Sequence, residues 1–224
     1  VQRFRVKEGI DDFQKKKYGF RVELLRSIQR FVLRKASFVI TPSDYFKRVV
    51  SLWGVESKKL QRIYNGVIIP EKINPKKFNK KTIVSSGRLV PWKGFDILVS
   101  LISKVEADLV IVGEGEDKER LEKLVIENKV SDKVHFLGSL KREELMSVIA
   151  GGTLFVLPSS FESFSFQLVE AMMLGSTVVT LNTGNLDEII KDGENGILGE
   201  KTKIDNLPEI LNSLLVNEEL RNKL

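Results

Sequence analysis

Two carboxylates stand eight positions apart in the stretch PSSFESFSFQLVEAMMLG, which runs from Pro158 to Gly175: Glu162 and Glu170. Such a pair can act as an acid and a base, can clamp the hydroxyls of a ligand, or can be two solvated charges. On one helix, residues eight apart differ by about 80° in direction and need not converge. If Glu162 lies in a loop after a strand and Glu170 in the second turn of the following helix, both can border one ligand. The N–H groups of Ser165 and Phe166 would then point at whatever sits between them, as an anion site. Ser163 and Ser165 are small enough to let a ligand approach the backbone. The competing reading is plain: surface glutamates are common, and Phe161, Phe164 and Phe166 can be core.

A second stretch, SSGRLVPWKG, spans Ser85 to Gly94 and places Arg88 and Lys93 around a turn where a strand ends and a helix begins. Arginine grips phosphate with two donors, lysine acts as a point charge, and a helix start favours anions. This is a diphosphate site or two solvated bases on a loop. VGEGEDKERL begins like a dinucleotide fingerprint, but Lys118 stands at the third glycine position and three acids would repel a pyrophosphate. A tight turn with an acidic helix start is the favoured reading there. In KVHFLGSL the lone histidine, His135, reads as structural. The strand end at Phe136, Leu137 and Gly138 faces the crevice of the other strand–helix loops, where backbone groups could meet a nucleobase.

The elements that must position these residues follow from hydrophobic pattern. Short apolar runs, TIVSSG, ADLVIVG, VHFLG, TLFVLP, TVVTLN and GILG, alternate with helical patterns at about 94–105, 116–128, 142–150, 166–174 and 186–190, and from Ile204. That alternation predicts a doubly wound α/β domain with a parallel sheet over residues 82–224. The first third differs. Phe20, Leu24, Leu25, Ile28, Phe31 and Val32 follow helical spacing, opposite Arg21, Arg26, Arg30 and Arg34. ASFVITPS and KLQRIYNGV read as strands, with a helix at Asp44–Trp53 between them. Two strands are too few for an independent α/β domain. Residues 1–69 are therefore expected to be the end of a preceding α/β domain, with 70–81 as a linker. NEELRNKL stops in mid-pattern, so the C-terminus is expected to be truncated.

Composition narrows the classes. The chain has 224 residues, no cysteine and a single histidine, which excludes disulfides, zinc–thiolate sites and His-rich metal clusters. Residues 1–81 hold 21 Lys and Arg against 7 Asp and Glu, and the remainder holds 15 against 23. The acidic ordered part and the lack of any DNA-binding motif argue against a nucleic-acid partner. No run of roughly 18 apolar residues is present, so no transmembrane helix is expected. The basic segment Phe20–Lys35 reads as a core helix of the preceding domain with solvated arginines, or as a peripheral contact with an anionic membrane face. A cytoplasmic location is the expectation.

The series GRLVPWKG, VGEGEDKERL, VHFLG, PSSFESFSFQLVEAMMLG, TGNLDE and DGENGIL, in this order, resembles the nucleotide-sugar-binding half of family 4 retaining glycosyltransferases, which have the GT-B fold. VITPSDYFK and IYNGV extend the resemblance back towards an acceptor domain. The resemblance implies transfer of a sugar from a nucleoside diphosphate to the hydroxyl of a glycan or lipid-linked acceptor, as in polysaccharide synthesis. Arg88 and Lys93 would neutralise the diphosphate, and no metal or other cofactor is implied. Glu162 would hold the transferred sugar and Glu170 the ribose. Backbone at Phe136–Gly138 would meet the base, and Ser165 and Phe166 the distal phosphate. Ser165 departs from a usual glycine, Asn185 from the second of a glycine pair, and Ile68 from a frequent aspartate. A non-catalytic nucleotide-sugar-binding module and a related GT-B epimerase are the alternatives.

Overall fold

The computed structural model describes residues 15–68, 70–162 and 164–224. The chain divides into two compact units between Asn65 and Gly66.

In the first unit, α1 (Phe20–Lys35), β1 (Val39–Thr41), α2 (Asp44–Leu52) and β2 (Leu60–Arg62) follow in order. β1 and β2 pair in parallel, with Val39 opposite Leu60. Ser43 starts α2 by accepting a hydrogen bond from the Phe46 N–H at 3.1 Å, which satisfies one of the helix's orphan donors. The core is small: Val39, Val50, Val55 and Leu60, with Leu33, Ala36 and Trp53 against it. A two-stranded ribbon of this size cannot cover a helix of 16 residues. Phe20, Leu24, Leu25, Ile28, Phe31 and Val32 form an apolar side that these two strands leave exposed. Arg26, expected to be solvated, is buried and donates to the Lys16 carbonyl and to Glu23.

The second unit is an α/β domain built on six parallel strands. β3 (Thr82–Ser86), β4 (Asp108–Val112), β5 (Val134–Gly138), β6 (Leu154–Leu157), β7 (Thr177–Leu181) and β8 (Ile197–Gly199) lie in the order β5-β4-β3-β6-β7-β8. All five neighbouring pairs are parallel. Every residue of β3, β6 and β7 is buried, as expected of strands covered on both faces. Side chains alternate between those faces. Ile83, Leu109, Ile111, Leu154, Val156 and Val179 pack with α3 (Phe95–Leu101), α4 (Lys118–Glu127) and α7 (Leu207–Val216). Val84, Val110, Val112, Phe155, Leu157 and Val178 pack with α5 (Arg142–Gly151) and α6 (Phe166–Met173). Each fully buried aliphatic chain contributes about 1.5–3 kcal/mol.

Two helix boundaries depart from expectation. The helix foreseen over 94–105 is α-helical only to Leu101 and tightens into a 3-10 turn at Ile102–Lys104. The last helix begins at Leu207, not Ile204, because Pro208 suits a first turn and a 3-10 segment covers Lys201–Asn206. Asn217 then caps a separate α8 (Glu218–Lys223), accepting from the Leu220 N–H at 2.9 Å. The stretch after Pro70 has no strand or helix but is bonded to the domain: the Lys76 N–H reaches the Ser147 carbonyl, and the Ser147 hydroxyl the Asn74 carbonyl.

Candidate functional site

The strand order fixes where a ligand can enter. From β3 the chain moves outward through β4 and β5, then returns to β6 on the other side of β3. Loops leaving the carboxyl ends of β3 and β6 thus diverge and open a crevice, the usual ligand position in open α/β sheets. Arg88 and Lys93 lie on the loop after β3, and Glu162 on the loop after β6.

These loops are locked together. The Ser160 N–H donates to the Trp92 carbonyl at 2.8 Å. Gly94 has φ of 74°, and a β-carbon there would collide with the Pro158 carbonyl, so only glycine allows this approach. The loop after β7 joins them. The Thr183 hydroxyl donates to the Ser159 carbonyl at 3.0 Å, and Gly184 lies against the Glu162 backbone. The GEG segment braces the loop from the other side. A β-carbon on Gly115 would strike the Leu89 carbonyl, while the Leu89 N–H donates to the Glu114 carbonyl at 2.9 Å. The fingerprint-like glycines therefore serve packing beside Arg88. Asp117 and Arg120, paired at 2.6 Å, close the acidic helix start on itself.

Within this frame Lys93 Nζ lies 2.7 Å from Glu162 Oε1, with side chains only 11% and 8% exposed. Two residues assigned by sequence to different parts of a ligand are thus brought into one buried ion pair. Arg88 is exposed, with its guanidinium 5.7 Å from the centre of the Trp92 ring. Beneath the crevice, the hydroxyls of Ser85, Ser86 and Ser159 and the amide of Asn185 are buried without a hydrogen-bond partner among the described residues. Buried polar groups are rarely left so. These sit at or just after the ends of β3, β6 and β7, three adjacent strands.

Glu170 sits in the second turn of α6, and its carboxylate is 9% exposed. It pairs not with Arg88 or Lys93 but with Arg142, at 2.9 Å. Arg142 was missed by sequence reasoning, although one signal was present: a cation in the first turn of α5 opposes the helix dipole and calls for another reason to be there. Ser165 is the N-cap of α6. Its hydroxyl accepts from the Leu168 N–H at 3.4 Å, and its φ of −98° lies outside the left-handed region. Serine in place of glycine therefore strains nothing here. The N–H groups of Phe166 and Gln167 have no acceptor among the described residues. Phe166 is exposed and meets the buried Phe164 edge-on at 5.4 Å. Ser163 lies outside the described residues.

The expected base-contacting strand end is more enclosed. Phe136 packs partly into one core and Leu137 into the other, and the Gly138 carbonyl accepts from the Gly113 N–H at 2.8 Å. Leu137 also borders a 650 Å³ cavity with Pro70, Lys72, Ile73 and α5 residues. His135 lies 3.8 Å from Asp108, away from the crevice in the strand's first half. Among the described residues no three His, Cys, Asp or Glu side chains cluster as a metal site, and no helix is long and apolar enough to cross a membrane.

Comparison with known proteins gives this geometry a context. The family model for glycosyl transferases group 1 matches residues 69–224. An uncharacterized glycosyltransferase of Methanocaldococcus jannaschii is 35% identical over 162 residues, 72% of this chain and 45% of its own length. The sulfoquinovosyl transferase of Arabidopsis thaliana is 28% identical over 91% of this chain and 42% of its own length. The chain thus spans about half the length of the curated relatives it matches. Among solved structures, Anabaena HepE in complex with UDP and glucose aligns with a TM-score of 0.78 at 22% identity, covering 89% of this chain and 59% of that one. The sucrose-phosphate synthase of Thermosynechococcus elongatus aligns with a TM-score of 0.81 at 23% identity, over 96% and 58%. The parallel α/β sheet is that of the GT-B glycosyltransferases.

Proposed function

Because the chain belongs to the glycosyl transferases group 1, we propose that it binds a nucleoside-diphosphate sugar at the carboxyl ends of β3, β6 and β7. Within a complete enzyme of the family 4 type, it passes the sugar to an acceptor hydroxyl with retention of configuration. Residues 1–65 belong, on this reading, to the acceptor-binding domain. The observation that carries it is the buried Lys93–Glu162 pair at the β3–β6 switch point. There a fixed cation and a fixed carboxylate face one crevice beside the N-terminus of α6.

The chemistry follows from the groups present. The leaving diphosphate develops negative charge, which fixed cations and helix N–H groups stabilise in place. Lys93, Arg88 and the Phe166 and Gln167 N–H groups are positioned for it, so the leaving group is met without a metal. Lys93 neutralises Glu162 at 2.7 Å. When donor binds, the ammonium is shared with a phosphate oxygen, and Glu162 turns to accept from hydroxyls of the sugar. Glu170 accepts from the ribose. A glycosidase-type nucleophile is the rival role for Glu162, but that role needs a second carboxyl about 5 Å away as the acid, and on this reading Glu170 is engaged with Arg142 and the ribose instead. The departing diphosphate can instead take the acceptor's proton on the same face.

Melting temperature with UDP-, GDP- and ADP-sugars tests the donor site, because a ligand at 100 times its Kd adds about 2.7 kcal/mol. At least one is expected to raise it, and no rise with any of the three would overturn the reading. In the complete enzyme, Arg88→Ala is expected to lower turnover by about tenfold or more. Covalent trapping of a sugar on Glu162 would replace this mechanism with the rival one.

A further inference from the structure

Arg142 has no ligand role in the reading above, yet it is held in one place. One terminal nitrogen of its guanidinium lies 2.9 Å from Glu170 Oε1 and donates to the Ile68 carbonyl at 2.9 Å. A guanidinium has five N–H donors. Those on Nε and on the other terminal nitrogen have no acceptor among the described residues. The second oxygen of Glu170 likewise accepts no hydrogen bond from a described residue. Arg142 and Glu170 both border an open cavity of 480 Å³, lined also by Gly66, Ile68, Pro70 and Phe166. Arg142 is 55% exposed along its side chain and Glu170 only 9%.

A donor and an acceptor fixed side by side at one opening complement a vicinal diol. One hydroxyl gives its hydrogen to the carboxylate while its neighbour accepts from the guanidinium. Neutralising Glu170 alone would need only a point charge; a planar fork adds direction. We propose that Arg142 and Glu170 form a two-part clamp on the ribose 2′,3′-diol, with Arg142 donating to the 2′-hydroxyl and Glu170 accepting from the 3′-hydroxyl. Arg142 is then a specificity-determining residue that selects ribonucleotide over 2′-deoxyribonucleotide donors. The clamp rests on the nucleotide-sugar reading above. Its position also accounts for a cation in the first turn of α5, where the helix dipole disfavours one.

Calorimetry on the intact chain tests this with UDP, GDP and ADP, and then with the tightest of the three against its 2′-deoxy counterpart. Wild type is expected to prefer the ribose form by about tenfold or more, the usual scale for one hydrogen bond to a charged group. Arg142→Ala should weaken the ribose form by a similar factor and leave the 2′-deoxy form nearly unchanged, so that the preference collapses. Arg142→Lys keeps a cation beside Glu170 but not the fork, and should lose most of the preference too. It decides the matter if the alanine variant does not fold. A ribose preference unchanged in either variant, or absent in wild type, overturns the clamp while the donor site stands. Failure of wild type to bind any of the three nucleotides overturns both.

Discussion

The two glutamates of the crevice are held in contrasting ways. Glu162 is sealed against a lysine that is itself buried, across loops joined by the Ser160–Trp92 hydrogen bond. Glu170 is equally buried but faces a half-exposed guanidinium at the rim of a cavity. The first pair costs desolvation of both ions and gives little net stability; its removal by halves leaves a charge stranded. The second leaves its cation half-exposed, held also by the Ile68 carbonyl. One end of the crevice is thus sealed and the other open. A molecule with a charged middle and a polar, hydroxyl-bearing end is what such a crevice suits.

The contrast can be broken experimentally. The largest effect is expected at the sealed end: Lys93→Ala or Glu162→Ala should each lose about 3–5 kcal/mol of unfolding free energy in urea. The double variant should lose less than the sum, since neither charge remains unpaired. Additive losses would mean that solvent reaches the pair. At the open end, Arg142→Ala should cost roughly 1 kcal/mol, between the exposed and buried cases. A loss as large as that of Lys93→Ala would erase the distinction between the two ends. Ser165→Ala, which removes the cap of α6, should cost about 1 kcal/mol, and Ser165→Gly only a few tenths. A larger loss with glycine would show that the serine does more than cap. Arg88→Ala should leave stability within about 0.5 kcal/mol, because it rests only on the Trp92 ring. A clear loss there would place Arg88 in the scaffold rather than on the ligand side.

The domain's strands were legible because parallel strands covered on both faces must be unbroken apolar runs, and TIVSS, DLVIV and TVVTL are such runs. Arg88, Lys93 and Glu162 were legible as candidates because each lies between a strand and the next helix, and Glu170 because it lies one turn further on. Their pairing was not. Lys93 and Glu162 are 69 positions apart and meet only because the chain crosses back over β3. Arg142 marked only the start of an expected helix. For α1, helical spacing shows which side is apolar, not what covers it.

The tie between Ser160 and the Trp92 carbonyl, with Gly94 seated on Pro158, joins the two wings of the sheet above β3 and β6. The Lys93–Glu162 pair straddles that seam. It is therefore the product of a long loop closure, across 69 positions, a kind of contact that is entropically slow to form. A nascent chain that has folded β3 through β5 carries the lysine before the carboxylate it pairs with is in place. On the proposed function, binding competence then waits for β6 to dock, and a bound nucleotide would fasten the wings together as a tenon fastens two boards.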